Sequence, residues 1–199
     1  TAEQAQRAFT GEEERFIYSR FSNPTVGMFE ERMRLLEGAA SCRATTTGMA
    51  AVWGALAARL KAGDRLVASR ALFGSCHVVC TEFLPKFGVD IVMVDGTDLA
   101  EWEVALSKPA QAVFLETPSN PQLDLIDIAA VSEIAHQVGS TVLVDNVFAT
   151  PLLQNPIELG ADIVVYSATK HIDGQGRAMG GAILTNDLEF ANGDLLQFL

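Results

Sequence analysis

The apolar run Ile163-Val164-Val165-Tyr166 passes directly into Ser167-Ala168-Thr169-Lys170-His171, setting a lysine and two hydroxyls at the end of a strand-like segment. Parallel α/β sheets bind their ligands at that end of their strands. Burial disfavours a charged ammonium, so a lysine there is explained by an anionic ligand or by covalent work as an amine nucleophile. A lysine that tops the strand and reaches solvent fits the same residues equally well. His171 could tune the amine, although a structural hydrogen bond at the strand end accounts for it more simply. A second apolar run, Val142-Leu143-Val144, ends in Asp145-Asn146. A buried carboxylate calls for a cationic partner, and a protonated ring nitrogen is one option. Strand-end aspartates also serve nucleotide and metal sites, so Asp145 gains its meaning beside Lys170.

Thr45-Thr46-Thr47-Gly48-Met49-Ala50 is a small-residue turn entering a helical segment. The free N–H groups of Gly48 and Met49, with the helix dipole, would form an anion site. The segment lacks the glycines of a dinucleotide fingerprint and the lysine of a triphosphate loop. An ordinary helix cap is the more frequent use of such a turn. In Glu116-Thr117-Pro118-Ser119-Asn120-Pro121, the prolines stiffen a loop that offers the Asn120 amide, and a structural turn explains most of it. Taken together, the groups suit one ligand bearing a phosphate, a ring nitrogen, a ring oxygen and an aldehyde. Pyridoxal phosphate is such a ligand, and an ionised aspartate keeps its ring nitrogen protonated so that the ring accepts electrons.

Positioning these groups requires strands that end side by side. From residue 39 onward, short apolar runs alternate with segments of helical period, the pattern of an α/β fold with a mainly parallel sheet between helices. Strands are predicted over 66–69, 90–94, 112–116, 141–145, 162–167 and 181–184, and helices over 48–60, 75–87, 99–106 and 128–138, the last closed by Gly139. An earlier helix starts at Asn23-Pro24 and ends at Gly38, with Met28, Phe29, Met33 and Leu36 as its buried face. Residues 1–15 read as a polar arm that orders against a partner. The division expected is an arm and first helix over 1–38 and one α/β domain over 39–199. The apolar segment 194–199 reads as the start of a helix, which suggests a piece of a longer protein.

With 14 basic against 25 acidic residues, the net charge of −11 argues against nucleic acid or an anionic membrane as partner. No apolar run approaches the ~20 residues of a spanning helix, so a soluble, cytoplasmic protein is expected. The three cysteines, Cys42, Cys76 and Cys80, suit neither a disulfide framework nor a zinc site. Cys76-His77 with Cys80 lacks the further ligands a metal needs, and a partly buried helix face is the simpler reading.

Beyond these single features, the sequence from Phe16 onward resembles the Cys/Met-metabolism family of pyridoxal-phosphate enzymes, which includes cystathionine synthases and lyases and homoserine-ester sulfhydrylases. The matching segments are Tyr18-Ser19-Arg20 with Asn23-Pro24-Thr25, Thr47-Gly48-Met49-Ala50, Glu116-Thr117-Pro118-Ser119-Asn120-Pro121, Val144-Asp145-Asn146 and Ser167-Ala168-Thr169-Lys170. The resemblance implies the large cofactor domain of an aspartate-aminotransferase-like fold. It implies that Lys170 is the Schiff-base lysine, that Asp145 pairs with the pyridinium and that Asn120 lies near the ring hydroxyl. It gives the phosphate to the Gly48 and Met49 N–H groups and to the Ser167 and Thr169 hydroxyls. Tyr18 and Arg20 would reach a neighbouring subunit's phosphate, so the implied protein is a homo-oligomer, a dimer of active-site dimers. A C-terminal domain holding the substrate-carboxylate arginine lies beyond this sequence, and Arg177 is no substitute. The chain alone is therefore expected to be inactive.

Two positions depart from the family pattern. Phe73 stands where many relatives carry a tyrosine stacked on the ring; it can stack but cannot donate a proton. Thr47 replaces a frequent serine and keeps the hydroxyl. The segments 71–76, 147–150 and 171–177 are most similar to the homoserine-ester sulfhydrylases. The implied reaction is γ-replacement on O-succinylhomoserine by sulfide, giving homocysteine and succinate in methionine biosynthesis. Cystathionine γ-synthase or γ-lyase chemistry, and a non-catalytic α/β module binding a phosphate ligand, are the alternatives.

Overall fold

The computed structural model describes residues 1–13, 15–19 and 22–199. Strands form where short aliphatic runs are bounded by polar or glycine residues: β1 (Ser41–Thr45), β2 (Arg65–Ser69), β3 (Asp90–Val94), β4 (Ala112–Glu116), β5 (Thr141–Asp145), β6 (Ile163–Ser167) and β7 (Gly181–Thr185). They make one sheet in the order β1-β7-β6-β5-β4-β2-β3. Neighbours from β6 through β3 run parallel, whereas β7 is antiparallel to both β6 and β1. Two reversals return β1 to the direction of β6. The end of β1 therefore lies at the same sheet edge as the ends of β2, β4, β5 and β6.

The helices are α1 (Ala2–Phe9), α2 (Pro24–Glu37), α3 (Gly48–Arg59), α4 (Gly74–Val78), α5 (Leu99–Leu106), α6 (Ile128–Gln137), α7 (Thr150–Leu153), α8 (Leu188–Asn192) and α9 (Asp194–Phe198). Two cores result, one on each sheet face. Met33 of α2, Trp102 and Leu106 of α5 and Val131 of α6 pack on Val113, Val142, Val144 and Val164. On the opposite face, Ala51, Ala55 and Leu56 of α3, Cys76 of α4 and Leu195 of α9 pack on Phe114, Leu143, Ile163 and Val165. The expected α/β sandwich is present, and all six predicted strands form, with bounds shifted by no more than the terminal residue.

Several expectations need correction. Strand β1 was not anticipated. Within the expected polar arm, residues 2–9 form a helix capped by a reciprocal Thr1–Gln4 box, which was not anticipated. The helix expected over 75–87 is α4 followed by a π turn at Val79–Phe83 and a 3-10 turn at Leu84–Phe87, where Pro85 lacks the N–H that α geometry would use. Helix α2 has the predicted Asn23 cap, with the side-chain oxygen accepting from Thr25 and Val26 N–H at 2.9 and 3.2 Å, and ends at a left-handed Gly38. Its buried face differs: Met33 and Glu37 are buried and Phe29 packs at the core edge, but Met28 is 57% and Leu36 63% exposed. Cys76 and Cys80 lie fully in the core rather than on a partly buried face. Among the described residues, no helix is long and apolar enough to cross a membrane.

Candidate cofactor site

Side chains alternate across a strand, so the core contacts fix which way each strand end points. Phe114 of β4, Leu143 of β5 and Val165 of β6 face the α3 layer. Two residues further, Glu116, Asp145 and Ser167 face the same way. Glu116 and Asp145 are register partners on adjacent strands, and Ser167 pairs with Gly181, which pairs with Thr45. One sheet edge thus collects two carboxyls and a hydroxyl beneath the start of α3.

That helix start comes unusually close to the sheet. A Cβ on Gly48 would lie 2.4 Å from the Ser167 Cβ, and one on Gly181 would lie 2.3 Å from the Thr47 carbonyl oxygen. Thr47 Oγ1 accepts from Ala50 N–H at 3.0 Å, and the first helical hydrogen bond is Ala51 N–H to Thr47 O. The Gly48 and Met49 N–H groups precede that bond and are left for an outside acceptor, with the Ser167 hydroxyl beside them. A side chain at 48 or 181 would collide with this close approach, and the donors at the helix start suit a phosphate.

Lys170 follows in a turn in which its N–H donates to Ser167 O at 3.2 Å, and its side chain is exposed. The Thr169 hydroxyl is already engaged by Gly180: it accepts from the Gly180 N–H at 3.1 Å and contacts the Gly180 carbonyl at 3.3 Å. To donate to a phosphate it would have to release that carbonyl. His171 makes an edge contact with Phe148, centroids 6.3 Å apart. Arg177 is paired locally with Asp173 at 3.8 Å.

Asp145 is buried and accepts from Val147 N–H at 3.0 Å. Burial pushes its carboxyl up to about 6, against the pull of that N–H. The expected cationic partner is not supplied by an ion pair among the described residues, and a pyridinium is a cation that would fill the role. Phe73, 41% exposed, stands just before α4 and donates its N–H to Glu116. Asn120 is half-buried on the loop after β4. Tyr18 is exposed, ahead of α2, and Arg20 lies outside the described residues. The structure thus gathers Gly48, Met49, Ser167, Thr169, Lys170, Asp145, Asn120 and Phe73 at one sheet edge, and their donors and acceptors fit pyridoxal phosphate.

Three features escaped sequence reasoning. Gly181 had a signal, a Gly-Gly pair opening a strand. Glu116 sat inside a recognised segment in which Asn120 took the emphasis. A buried network had none: Tyr166 donates to Glu37, Asn146 Nδ2 donates to the Tyr166 oxygen at 2.6 Å, and Gln154 Nε2 reaches both Asn146 Oδ1 and Thr117 O at 2.8 Å. It ties the loops after β4 and β5 to α2 on the far face. Burial pushes Glu37 up to about 7.

The chain is similar to known proteins. The chain is 60% identical to an O-succinylhomoserine sulfhydrylase of Mycobacterium tuberculosis over 98% of its length and 48% of that protein's. It is 46% identical to an O-succinylhomoserine sulfhydrylase of Pseudomonas aeruginosa, covering 92% of this chain and 45% of that one. The crystal structure of cystathionine gamma synthase from Xanthomonas oryzae pv. oryzae in complex with cystathionine superposes with a TM-score of 0.90 at 36% identity, over 94% of this chain and 48% of that one. The chain spans about half the length of the curated relatives it matches. The family described as Cys/Met metabolism PLP-dependent enzyme matches residues 1–197. With the expected fold and strand-end groups in place, the chain belongs to the Cys/Met metabolism family of PLP-dependent enzymes.

Proposed function

We propose that the protein containing this chain replaces the succinyl group of O-succinylhomoserine with sulfide, forming homocysteine and releasing succinate. The observation that carries the reading is the convergence of Lys170, Asp145 and the Gly48 cradle in a chain 60% identical to an O-succinylhomoserine sulfhydrylase. When bound, pyridoxal phosphate supplies an electron sink for a substrate carbanion. Asp145 would hold its ring nitrogen protonated, the Gly48 and Met49 N–H groups and the Ser167 and Thr169 hydroxyls its phosphate, Asn120 its ring hydroxyl, and Phe73 would cover its face. The Lys170 amine, first the attachment point, would be freed when the substrate amine takes its place; it would then take the proton from substrate Cα, hand it on, and take the next from Cβ as the Cγ–O bond breaks and succinate leaves, and after sulfide adds at Cγ it would return protons to Cβ and Cα.

Residues 1–38 would serve the neighbouring subunit, with Tyr18 and Arg20 directed to its phosphate in a homo-oligomer. Exposed Phe9, Phe16, Met28, Leu35 and Leu36 support such a contact. Lys170→Ala in the full-length enzyme is expected to lower sulfhydrylation by about a thousandfold or more; normal turnover would overturn the assignment. Cystathionine formation is the second reading, favoured by the likeness to the Xanthomonas oryzae structure. Rates with sulfide against cysteine, using succinyl, acetyl and phosphoryl homoserine, separate the two. A non-catalytic binding module predicts no borohydride trapping at Lys170.

A further inference from the structure

Glu116 is fully buried at the end of β4, between groups assigned to two sides of the cofactor. Its Oε2 accepts the Phe73 N–H, which fixes the turn carrying the stacking ring. Across the sheet, its register partner is Asp145. Its Oε1 is buried with no hydrogen-bond partner among the described residues. The titratable groups facing it are Asp145 on β5 and Cys76 on α4, whose thiol is driven up by burial and then by both carboxyls. No lysine or arginine pairs with it among the described residues. Two carboxylates on adjacent strands, in a site with little solvent, do not both ionise readily.

Resting on the cofactor reading above, we propose that Glu116 is a positioning residue that works as an un-ionised carboxylic acid. It props Phe73 through its backbone N–H and leaves Asp145 as the single negative charge of the pair. Burial and the neighbouring Asp145 push its carboxyl up to about 7, in keeping with that role. A charged Glu116 would place a second negative charge beside Asp145, on an oxygen that no donor satisfies.

The test uses the full-length enzyme carrying its cofactor, compared with Glu116→Gln and Glu116→Ala. Glutamine can accept the same Phe73 N–H but cannot ionise. Infrared difference spectra below neutral pH should show an un-ionised carboxylic acid in the parent that is missing from Glu116→Gln. Cofactor affinity and the visible circular dichroism of the bound cofactor should be unchanged in Glu116→Gln. In Glu116→Ala, affinity should fall about tenfold and the dichroism should shrink, since the Phe73 turn loses its acceptor. The proposal is overturned if the acid band is absent from the parent, if it persists in Glu116→Gln, or if glutamine weakens binding as much as alanine. If the alanine protein does not fold, the infrared and glutamine results decide alone. Borohydride trapping at Lys170 is run alongside: its absence from the parent sinks the cofactor reading itself, whereas trapping without an acid band sinks only the role of Glu116.

Discussion

A methyl group on Gly48 has nowhere to go: the Ser167 Cβ, Oγ and Cα would lie 2.4, 2.7 and 2.8 Å away, and two of those atoms are fixed by the β6 backbone. Gly48→Ala must therefore lift the start of α3 off the sheet. It should destabilise the fold by about 1–3 kcal/mol, the usual range for overpacking, and weaken cofactor binding through the displaced Gly48 and Met49 N–H groups. Gly74→Ala is the matching control, because a Cβ there meets nothing within 4 Å. Equilibrium unfolding and cofactor titration of both variants check this; equal behaviour would show that the close approach is not needed. Gly48 was legible from sequence as a possible helix-start donor. Its closeness to Ser167 was not, since more than a hundred residues separate them and only the β1–β7–β6 register brings them together.

Helix α2 shows where sequence patterns mislead. Its ends could be read because Asn23, Pro24 and Gly38 have local mechanisms that need no tertiary context. Its buried face could not, because hydrophobic spacing does not separate a side chain inside its own core from one left apolar for a partner. Met28, Leu35 and Leu36 are exposed, and so are Leu152 (88%) and Leu153 (80%) of α7, which packs on α2. If this apolar surface is covered in the proposed homo-oligomer, Leu152→Asp in the full-length enzyme should shift that assembly toward smaller species, as read by sedimentation. An unchanged assembly would remove the surface from the interface. The same reasoning explains the strands. The runs of β4 and β5 are buried throughout and announce themselves as aliphatic blocks. Ser41-Cys42-Arg43-Ala44-Thr45 lies at the sheet edge with one buried residue, and its composition resembles a loop.

Three buried carboxyls give the molecule a characteristic pH response. Glu37 and Glu116 are pushed up to about 7 and Asp145 to about 6, each chiefly by burial. In the unfolded chain such groups titrate near 4. A folded-state value above the unfolded one means the stabilising contribution is complete below pH of about 4 and is lost as pH rises through about 6 to 7. Chemical denaturation of the cofactor-free protein should therefore show stability falling between pH of about 4 and 7. Glu37→Gln, which can still accept from Tyr166, should recover on the order of 1–3 kcal/mol at the upper end. A flat profile in the parent would contradict the burial of these groups as charged species. The strand order carries a consequence for biosynthesis as well. The anion cradle needs β1 to lie against β7, and of the seven strands of this sheet these are the first and the last in sequence. The Asp145 and Lys170 strand ends can assemble from consecutive parallel units, but the phosphate grip depends on a contact closing a loop of well over a hundred residues, a slow kind of step. On the ribosome, the nascent chain would expose its carboxylate and its lysine before it could hold the cofactor.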